Sequence, residues 1–412
     1  MKPSWPTKKL GEICEERKER NTKKLNLPVY SISNVLGFVL SEEYFYKRVY
    51  SENLKNYKLV YKYDFAYNPA RVNVGSIGIY KGDTLCLISP MYEIFYIRDI
   101  KTLNPYFLFY LLKTDLYQNI IKNLAASQGS IRQVLKLRDL FDLEIPVPPL
   151  DIQQKIVKIL DTIQEAVDVQ EKIIEKTKEL KKSLMADLFK YGAPSFRKGR
   201  KLKKTEIGEI PENWEVVRLG EVYKITNKPP ALNFKNFGLI PFIPMEEIGF
   251  GTINPKYYMK SSDEISSGVY FEKGDLLLAK ITPSFENGKQ SIVENIPLNF
   301  GIATTEVIPI KQTHKSNIYY LFYLLQKTNV RESLAESMEG TTGRRRLSKN
   351  ALLNFLIPLP SFPEQQEIVK ILQTVDQKIE IEQKKKELYE ELFKTMLNKI
   401  MAQEIDVEEI EV

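Results

Sequence analysis

The chain has 412 residues but only two cysteines and one histidine, and those scarcities remove whole classes of function. Cys14 and Cys86 lie too far apart for a metal-ligand cluster and are too few to staple a fold, which fits a reducing compartment. With His314 as the one imidazole, catalytic triads, histidine general bases and histidine-ligated zinc are all but closed to this chain. No run of about 18 apolar residues occurs, and Met1-Lys2-Pro3-Ser4-Trp5-Pro6 lacks an apolar leader core. The expectation is a soluble cytoplasmic protein without a membrane span. A G-x-x-x-x-G-K-[ST] phosphate loop is also missing. So is the Gly-rich cofactor loop with Asn/Asp-Pro-Pro-aromatic of a DNA methyltransferase, since Tyr67-Asn68-Pro69-Ala70 and Asn227-Lys228-Pro229-Pro230 do not match it. Glu382-Gln383-Lys384 has the Glu-x-Lys of a metal-dependent nuclease, but it falls in a charged helical stretch where a solvated face explains it. No catalytic or metal constellation emerges, and the chain reads as a binding protein, not an enzyme, with no cofactor of its own.

What is present is size, charge and repetition. The length calls for two or three domains, and 43% apolar residues suffice for proper cores. Net charge is +7, a mild excess compatible with nucleic acid. Its distribution is uneven. Residues 190–204 hold seven Lys and Arg and no acid, while 402–412 hold five acids and no base. The plain expectation for these is a solvated basic linker and a frayed acidic tail.

The two halves repeat. Trp5-x4-Leu10-Gly11-Glu12 returns as Trp214-x4-Leu219-Gly220-Glu221, and Asp64-Phe65-Ala66 aligns loosely with Asp275-Leu276-Leu277. Leu108-Phe109-Tyr110-Leu111-Leu112 returns verbatim as Leu321-Phe322-Tyr323-Leu324-Leu325. Ile145-Pro146-Val147-Pro148 followed by Gln153-Gln154-x-Ile156-Val157-Lys158-Ile159-Leu160 is answered by Ile357-Pro358-Leu359-Pro360 and Gln365-Gln366-x-Ile368-Val369-Lys370-Ile371-Leu372. Matches in one order at a near-constant offset of about 210 residues mark a tandem duplication. Between them the halves diverge, as expected of modules doing one task on different targets.

Each half opens with mixed short strands and helices. Asn104-Pro105 and Asn317 are N-caps for the aromatic helices, whose rings fill a core. From 152 to 188 there is neither Gly nor Pro. Apolar residues step by four and three through Ile152, Ile156, Ile159, Ile163, Ala166, Ile173, Leu180 and Leu184, with Leu160, Val167, Ile174 and Leu188 widening the face. The second half repeats this with Ile368, Ile371, Val375, Ile379, Leu388, Leu392, Met396 and Ile400. This is coiled-coil patterning, and a helix of roughly 37 residues spans about 55 Å. The economical arrangement pairs the two helices antiparallel and leaves apolar surface for a partner; the alternative packs each onto its own module. The expected interface residues are Ile156, Ile159, Ile163, Leu180, Leu184, Ile368, Ile371, Val375, Leu392 and Met396. The architecture is therefore α/β (α+β): homologous mixed modules at 1–150 and 205–361, long helices at 151–190 and 362–401, a linker at 191–204 and a tail at 402–412.

Two loops per half have the chemistry for DNA. One follows the Asp64 or Asp275 strand, with Asn68, Arg71, Asn73 and Ser76 in the first half and Lys280, Thr282, Ser284, Asn287 and Lys289 in the second. The other holds Gln128, Ser130 and Arg132, answered by Thr341, Thr342, Arg344, Arg345 and Arg346. Amides beside glycine approach phosphate closely, and guanidinium forks fit phosphate or guanine. Ordinary polar surface loops would have the same composition.

Gly340-Thr341-Thr342-Gly343-Arg344-Arg345-Arg346-Leu347-Ser348, Ile357-Pro358-Leu359-Pro360 and Pro363-Glu364-Gln365-Gln366 together resemble the closing signature of target-recognition domains in specificity subunits of Type I restriction–modification systems. Thr205–Gly220 resembles the opening of the second such domain, and Lys273-Gly274-Asp275-Leu276-Leu277 its internal strand. The first half departs, with Gln128-Gly129-Ser130-Ile131-Arg132 and Tyr63-Asp64 at those places. The resemblance implies a non-catalytic subunit that reads a bipartite site on double-stranded DNA, with the coiled coil setting the spacer. It implies partners too: adenine-methylating modification subunits, expected as a pair, and a restriction subunit that translocates. S-adenosylmethionine, ATP and Mg would sit on those partners. The other reading of the residues is a stand-alone two-site DNA-binding or regulatory protein.

Overall fold

The computed structural model describes residues 5–33, 37–45, 50–74, 77–126, 134–341 and 343–410, with backbone alone at 72–74. The chain divides into two compact units. Unit 1 joins Met1–Lys172 to Gln383–Val412, and unit 2 is Ile173–Glu382. Each unit thus owns one module, part of its own long helix and part of the other's.

In unit 1 one antiparallel sheet runs in the order Cys14–Glu16, Glu93–Ile97, Phe65–Tyr67, Ile77–Ile79. A second runs Gly37–Leu40, Val29–Ser33, Cys86–Ile88, Lys58–Val60, with its central pair parallel. Unit 2 repeats both orders. Tyr223–Ile225, Val307–Gln312, Leu276–Ala279 and Gln290–Ile292 form one sheet, and Tyr258–Ser261, Leu239–Ile243, Phe300–Ala303 and Val269–Glu272 the other. Unit 2 adds an edge strand, Phe250–Ile253, parallel to Gln290–Ile292. The start and end of each module are zipped together, Thr7–Lys9 with Glu144–Pro146 and Glu215–Arg218 with Leu356–Leu359.

The repeated motifs explain themselves in this frame. Asn104 caps the helix Pro105–Lys113 by accepting from Tyr106 N and Phe107 N, and Asn317 caps Ile318–Leu324 through Tyr319 N. The first glutamine of each Gln-Gln pair braces that cap. Gln153 accepts from Asn104 N at 2.7 Å and donates to the carbonyls of Thr102 and Pro148. Gln365 accepts from Asn317 N at 2.8 Å and donates to those of Lys315 and Pro360. A buried amide with all three bonds made ties the first turn of each long helix to the module before it.

The long helices span Leu150–Tyr191 and Phe362–Met401. Within each unit their segments run antiparallel. In unit 1 Lys155 reaches Glu408 O while Lys386 pairs with Glu171 at 3.4 Å; in unit 2 Lys181 pairs with Asp376 at 2.6 Å while Ala193 N donates to Glu364. The module core is also shared: Ile156, Ile159 and Leu160 join Leu397 and Ile400 in the unit 1 core. Both expected packings, helix on helix and helix on own module, therefore occur together.

The seam differs from the expected one. Ile156, Ile159 and Ile368 are buried, and Ile163, Leu184, Ile371, Val375 and Met396 half-buried, but Leu180 is 52% exposed and Leu392 45%. Ile173 and Leu388 are exposed with them. The inward row after Leu160 is instead Val167, Ile174 and Leu188, joined by Gln170. Apolar residues occupy two adjacent rows of each helix, and periodicity alone does not say which row faces the neighbour.

The charged ends also differ from expectation. The segment 191–204 is no solvated linker. Arg200 forms a fork with the buried carboxylate of Glu364, Nη1–Oε1 2.5 Å and Nη2–Oε2 3.0 Å, and Trp214 Nε1 donates to the same group at 3.0 Å. Arg197 pairs with Asp187, and Leu202–Thr205 pairs with Gly208–Pro211. Residues 402–410 of the acidic tail are not frayed either, because Val407 is buried and Ile405 and Ile410 pack against the unit 1 core. In both places apolar or paired side chains between the counted charges decide the outcome.

Candidate nucleic-acid interface

In unit 2 the two loops become one surface. Lys280 follows the strand Leu276–Ala279, the chain turns through 281–289, and residues 339–341 and 343–347 run beside it. Ile281 and Glu339 each bridge Arg346, Thr282 N donates to Arg345 O at 3.1 Å, and Leu347 N donates to Lys280 O at 2.8 Å. Gly340 makes the turn possible: its φ is +129°, and a Cβ there would meet Arg344 O at 2.6 Å.

Basic side chains outnumber acidic ones on this surface. Burial holds the Lys280 ammonium below the usual lysine range, the charges of Lys349 and Arg346 push it the same way, and Glu306 only partly opposes them. Arg344, Arg346, Thr341 and Asn287 are exposed beside it, and Ser284 is half-buried. Cations crowded at a surface favour a polyanion, whose phosphates relieve the repulsion.

Three residues expected at the interface are committed inward. Arg345 is half-buried, with Nη2 on Glu286 Oε1 at 3.2 Å and Nη1 on Ala335 O at 3.4 Å. The Thr282 hydroxyl donates to the same Glu286 oxygen at 2.8 Å, and Lys289 Nζ donates to Met245 O at 2.8 Å. These hold the loop's shape. Thr342 lies outside the described residues.

Unit 1 keeps the scaffold with other side chains. Leu135 N donates to Pro69 O at 3.1 Å, the counterpart of the Leu347–Lys280 bond, so its two loops also meet. Asn68 Oδ1 accepts from Ala70 N at 3.0 Å and stabilises the 3-10 turn Pro69–Val74, from which Arg71 is exposed. The side chain of Asn73 and all of Ser76, Gln128, Ser130 and Arg132 lie outside the described residues.

Sequence reading missed Lys349, which opens the helix Lys349–Asn354 after its Ser348 cap; following the arginine run three residues further would have found it. It also missed Arg331, buried on the helix Thr328–Glu336, which carries no sequence signal. Among the described residues no group of three or more His, Cys, Asp or Glu could hold a metal, and no helix is long and apolar enough to cross a membrane.

The chain is similar to proteins of one family. The profile of the Type I restriction modification DNA specificity domain matches twice, at residues 3–179 and 211–391. A Methanocaldococcus jannaschii protein named for the MjaX type I restriction enzyme specificity subunit is 28% identical, over 98% of this chain and 94% of its own. The MjaVIII specificity subunit of the same organism is 29% identical over 75% and 72%. Among solved structures, a chain of a type I R-M system aligns with TM-score 0.58 at 19% identity, covering 97% of this chain and 98% of that one. The type I S subunit from M. genitalium aligns with TM-score 0.56 at 16% identity, covering 97% and 96%. The structures support the two-module fold and the sequence matches the family: the chain belongs to the Type I restriction–modification specificity subunits, non-catalytic chains with two DNA specificity domains in tandem.

Proposed function

We propose that each unit reads one half of a bipartite site on double-stranded DNA, and that the two long helices set the spacer between the halves. The observation that carries this reading is the cationic surface of unit 2, where Lys280 is crowded by Arg346 and Lys349 on loops locked by backbone bonds. Lys280, Arg344, Arg346 and Lys349 contact phosphates; Thr341, Ser284 and Asn287 reach groove edges; Arg345, Thr282 and Lys289 hold the loop for them. In unit 1 we assign the same task to Asn68 and Arg71 and, outside the described residues, to the side chain of Asn73 and to Ser76, Gln128, Ser130 and Arg132.

The helices carry a second duty. Ile173, Leu180 and Ile381 in unit 2, and Val169, Leu388 and Leu392 in unit 1, are exposed apolar residues on helical rows beside the seam. We assign these rows to the docking of two modification subunits, which bring S-adenosylmethionine and the methylation chemistry. A restriction subunit with ATP and Mg completes the assembly, in the cytoplasm where chromosomal DNA lies. A free-standing regulator would have no use for such rows.

Methylome sequencing of cells expressing this chain with its modification subunit tests the reading. One split sequence with methyladenine in both halves is expected; an undivided motif, or none, refutes it. Inserting seven residues at equivalent places in both helices adds about 10 Å, or about 3 base pairs. The spacer should lengthen while both halves stay the same, and a fixed spacer would remove the helices from that role.

A further inference from the structure

The edge strand Phe250–Ile253 has no counterpart in unit 1 among the described residues, and it holds one ring out of the sheet. The strand is bound on both sides of an irregularity. Gln290 N donates to Gly249 O at 2.9 Å, and Asn254 N donates to Ile292 O at 2.8 Å. The hydroxyls of Thr252 and Ser291 share a further bond of 2.8 Å. Between these anchors the register slips by one residue, since Phe250 pairs with Gln290 and Thr252 with Ser291. Gly251 takes up the slip at φ +71°, where a Cβ would meet Gln326 Cδ at 3.0 Å. A bulge of this kind re-aims the side chain beside it, and Phe250 is 64% exposed although the sheet fixes its backbone.

The ring stands beside the loop assigned to DNA. Phe250 lines one recess with Asn287 and Gly288, and the Lys289 ammonium, held by Met245 O, lies 5.6 Å from the ring centroid. A Cβ on Gly288 would meet nothing within 4 Å, so the loop is open at this point. A lone exposed ring needs no explanation; one displayed on a fixed strand beside cations assigned to phosphate meets the duplex they hold. A phenyl ring has no donor or acceptor with which to read the polar edge of a base. The apolar group that base pairs show at a groove edge is the C5 methyl of thymine, in the major groove. Insertion between base pairs is the other use of such a ring. It needs both faces free, and the Lys289 ammonium sits over one of them. We infer that Phe250 packs against one thymine methyl in the major groove of the second half-site, and so favours thymine over cytosine at that position. The inference rests on the DNA-reading assignment above and adds a specificity contact confined to unit 2.

The test uses the full chain bound to its modification subunits, on a duplex carrying the split sequence found by methylome sequencing. Deoxyuridine replaces each thymine of the second half-site in turn, which removes the methyl and keeps every hydrogen bond of the pair. One position should weaken wild-type binding about fourfold, the effect of uncovering one small apolar group. Phe250→Ala should bind the thymine duplex more weakly by at least about fourfold and be indifferent to uracil at that position, a coupled cycle that reads the contact itself. No sensitive position, or equal sensitivity in wild type and Phe250→Ala, would overturn the inference. So would a permanganate-reactive thymine that disappears in Phe250→Ala, which would make the ring a wedge. Loss of modification subunits from Phe250→Ala, with no sensitivity to uracil in the wild type, would overturn it too and make the ring a protein contact. All these results leave bipartite recognition standing. Failure to bind or methylate any split site would instead remove the reading beneath it.

Discussion

The two units solve one problem of burial differently. The strand that leads to each DNA loop begins beside a buried aspartate, Asp64 in unit 1 and Asp275 in unit 2. Asp64 is gripped by Arg17, Nε–Oδ2 2.5 Å and Nη2–Oδ1 2.9 Å, and that guanidinium is itself sandwiched by Tyr61 and Tyr96 with centroids 4.4 and 4.3 Å away. In unit 2 the place of Arg17 belongs to Thr226, and Asp275 keeps the backbone bond from Glu272 N at 2.7 Å. Burial raises both carboxyls, and with only the slight pull of Lys311 in place of a paired guanidinium it pushes Asp275 up to about 6. The comparison teaches that the duplicated frame fixes the carboxylate, whose oxygen turns the tight bend through the amide three residues before it (Tyr61 N or Glu272 N). How the charge is met is left to each unit.

Arg17→Met breaks the comparison hardest. It strands Asp64 as an unpaired buried charge and removes two ring contacts, for an expected loss of about 3–5 kcal/mol. Chemical denaturation followed by unit 1 tyrosine fluorescence should show the loss, and Asp64→Asn added to it should restore much. A loss below about 1 kcal/mol would mean that the pair is not holding the strand.

Asp275→Asn sharpens it from the other side. Because the folded carboxyl lies at about 6 against an ordinary 3.8, the folded state holds its proton more tightly than the unfolded one. Stability from this group is present at low pH, declines as pH rises from about 4 to 6, and stays lost above that. Removing the charge should add about 3 kcal/mol at pH 7.5 and flatten the decline, read as Tm against pH. An unchanged pH profile would show that Asp275 carries no such cost.

The same pairing of units shows what could be read without coordinates. The Gln153/Gln365 and Asn104/Asn317 repeats were legible as motifs because they make the same bonds twice, and strand-bounded loops were legible from turn residues. Residues 17–60 and 226–270 looked unrelated yet build the same strand order, since a sheet asks for alternation and not identity. The seam was half legible: Ile163 and Leu184 lie near it, while Leu180 and Leu392 face out because two apolar rows compete. Arg200 was hidden among six other basic residues, for only a long-range partner, Glu364, distinguishes a buried guanidinium from a solvated one. The loop cluster was legible in composition, but not the division of labour inside it.

That division gives the smallest expected effect and the finest comparison. Arg344, Arg345 and Arg346 are identical in sequence type and adjacent in the chain, yet Arg345 alone turns inward to Glu286. If Arg344 and Arg346 each neutralise a phosphate, replacing either by alanine should make the slope of log K against log salt shallower by about 0.9. Arg345→Ala should leave the slope as it is and lower stability by about 1 kcal/mol, as loss of a half-exposed, charge-assisted contact does. Three equal slope changes would mean that the loop opens on DNA and Arg345 leaves Glu286 to join its neighbours.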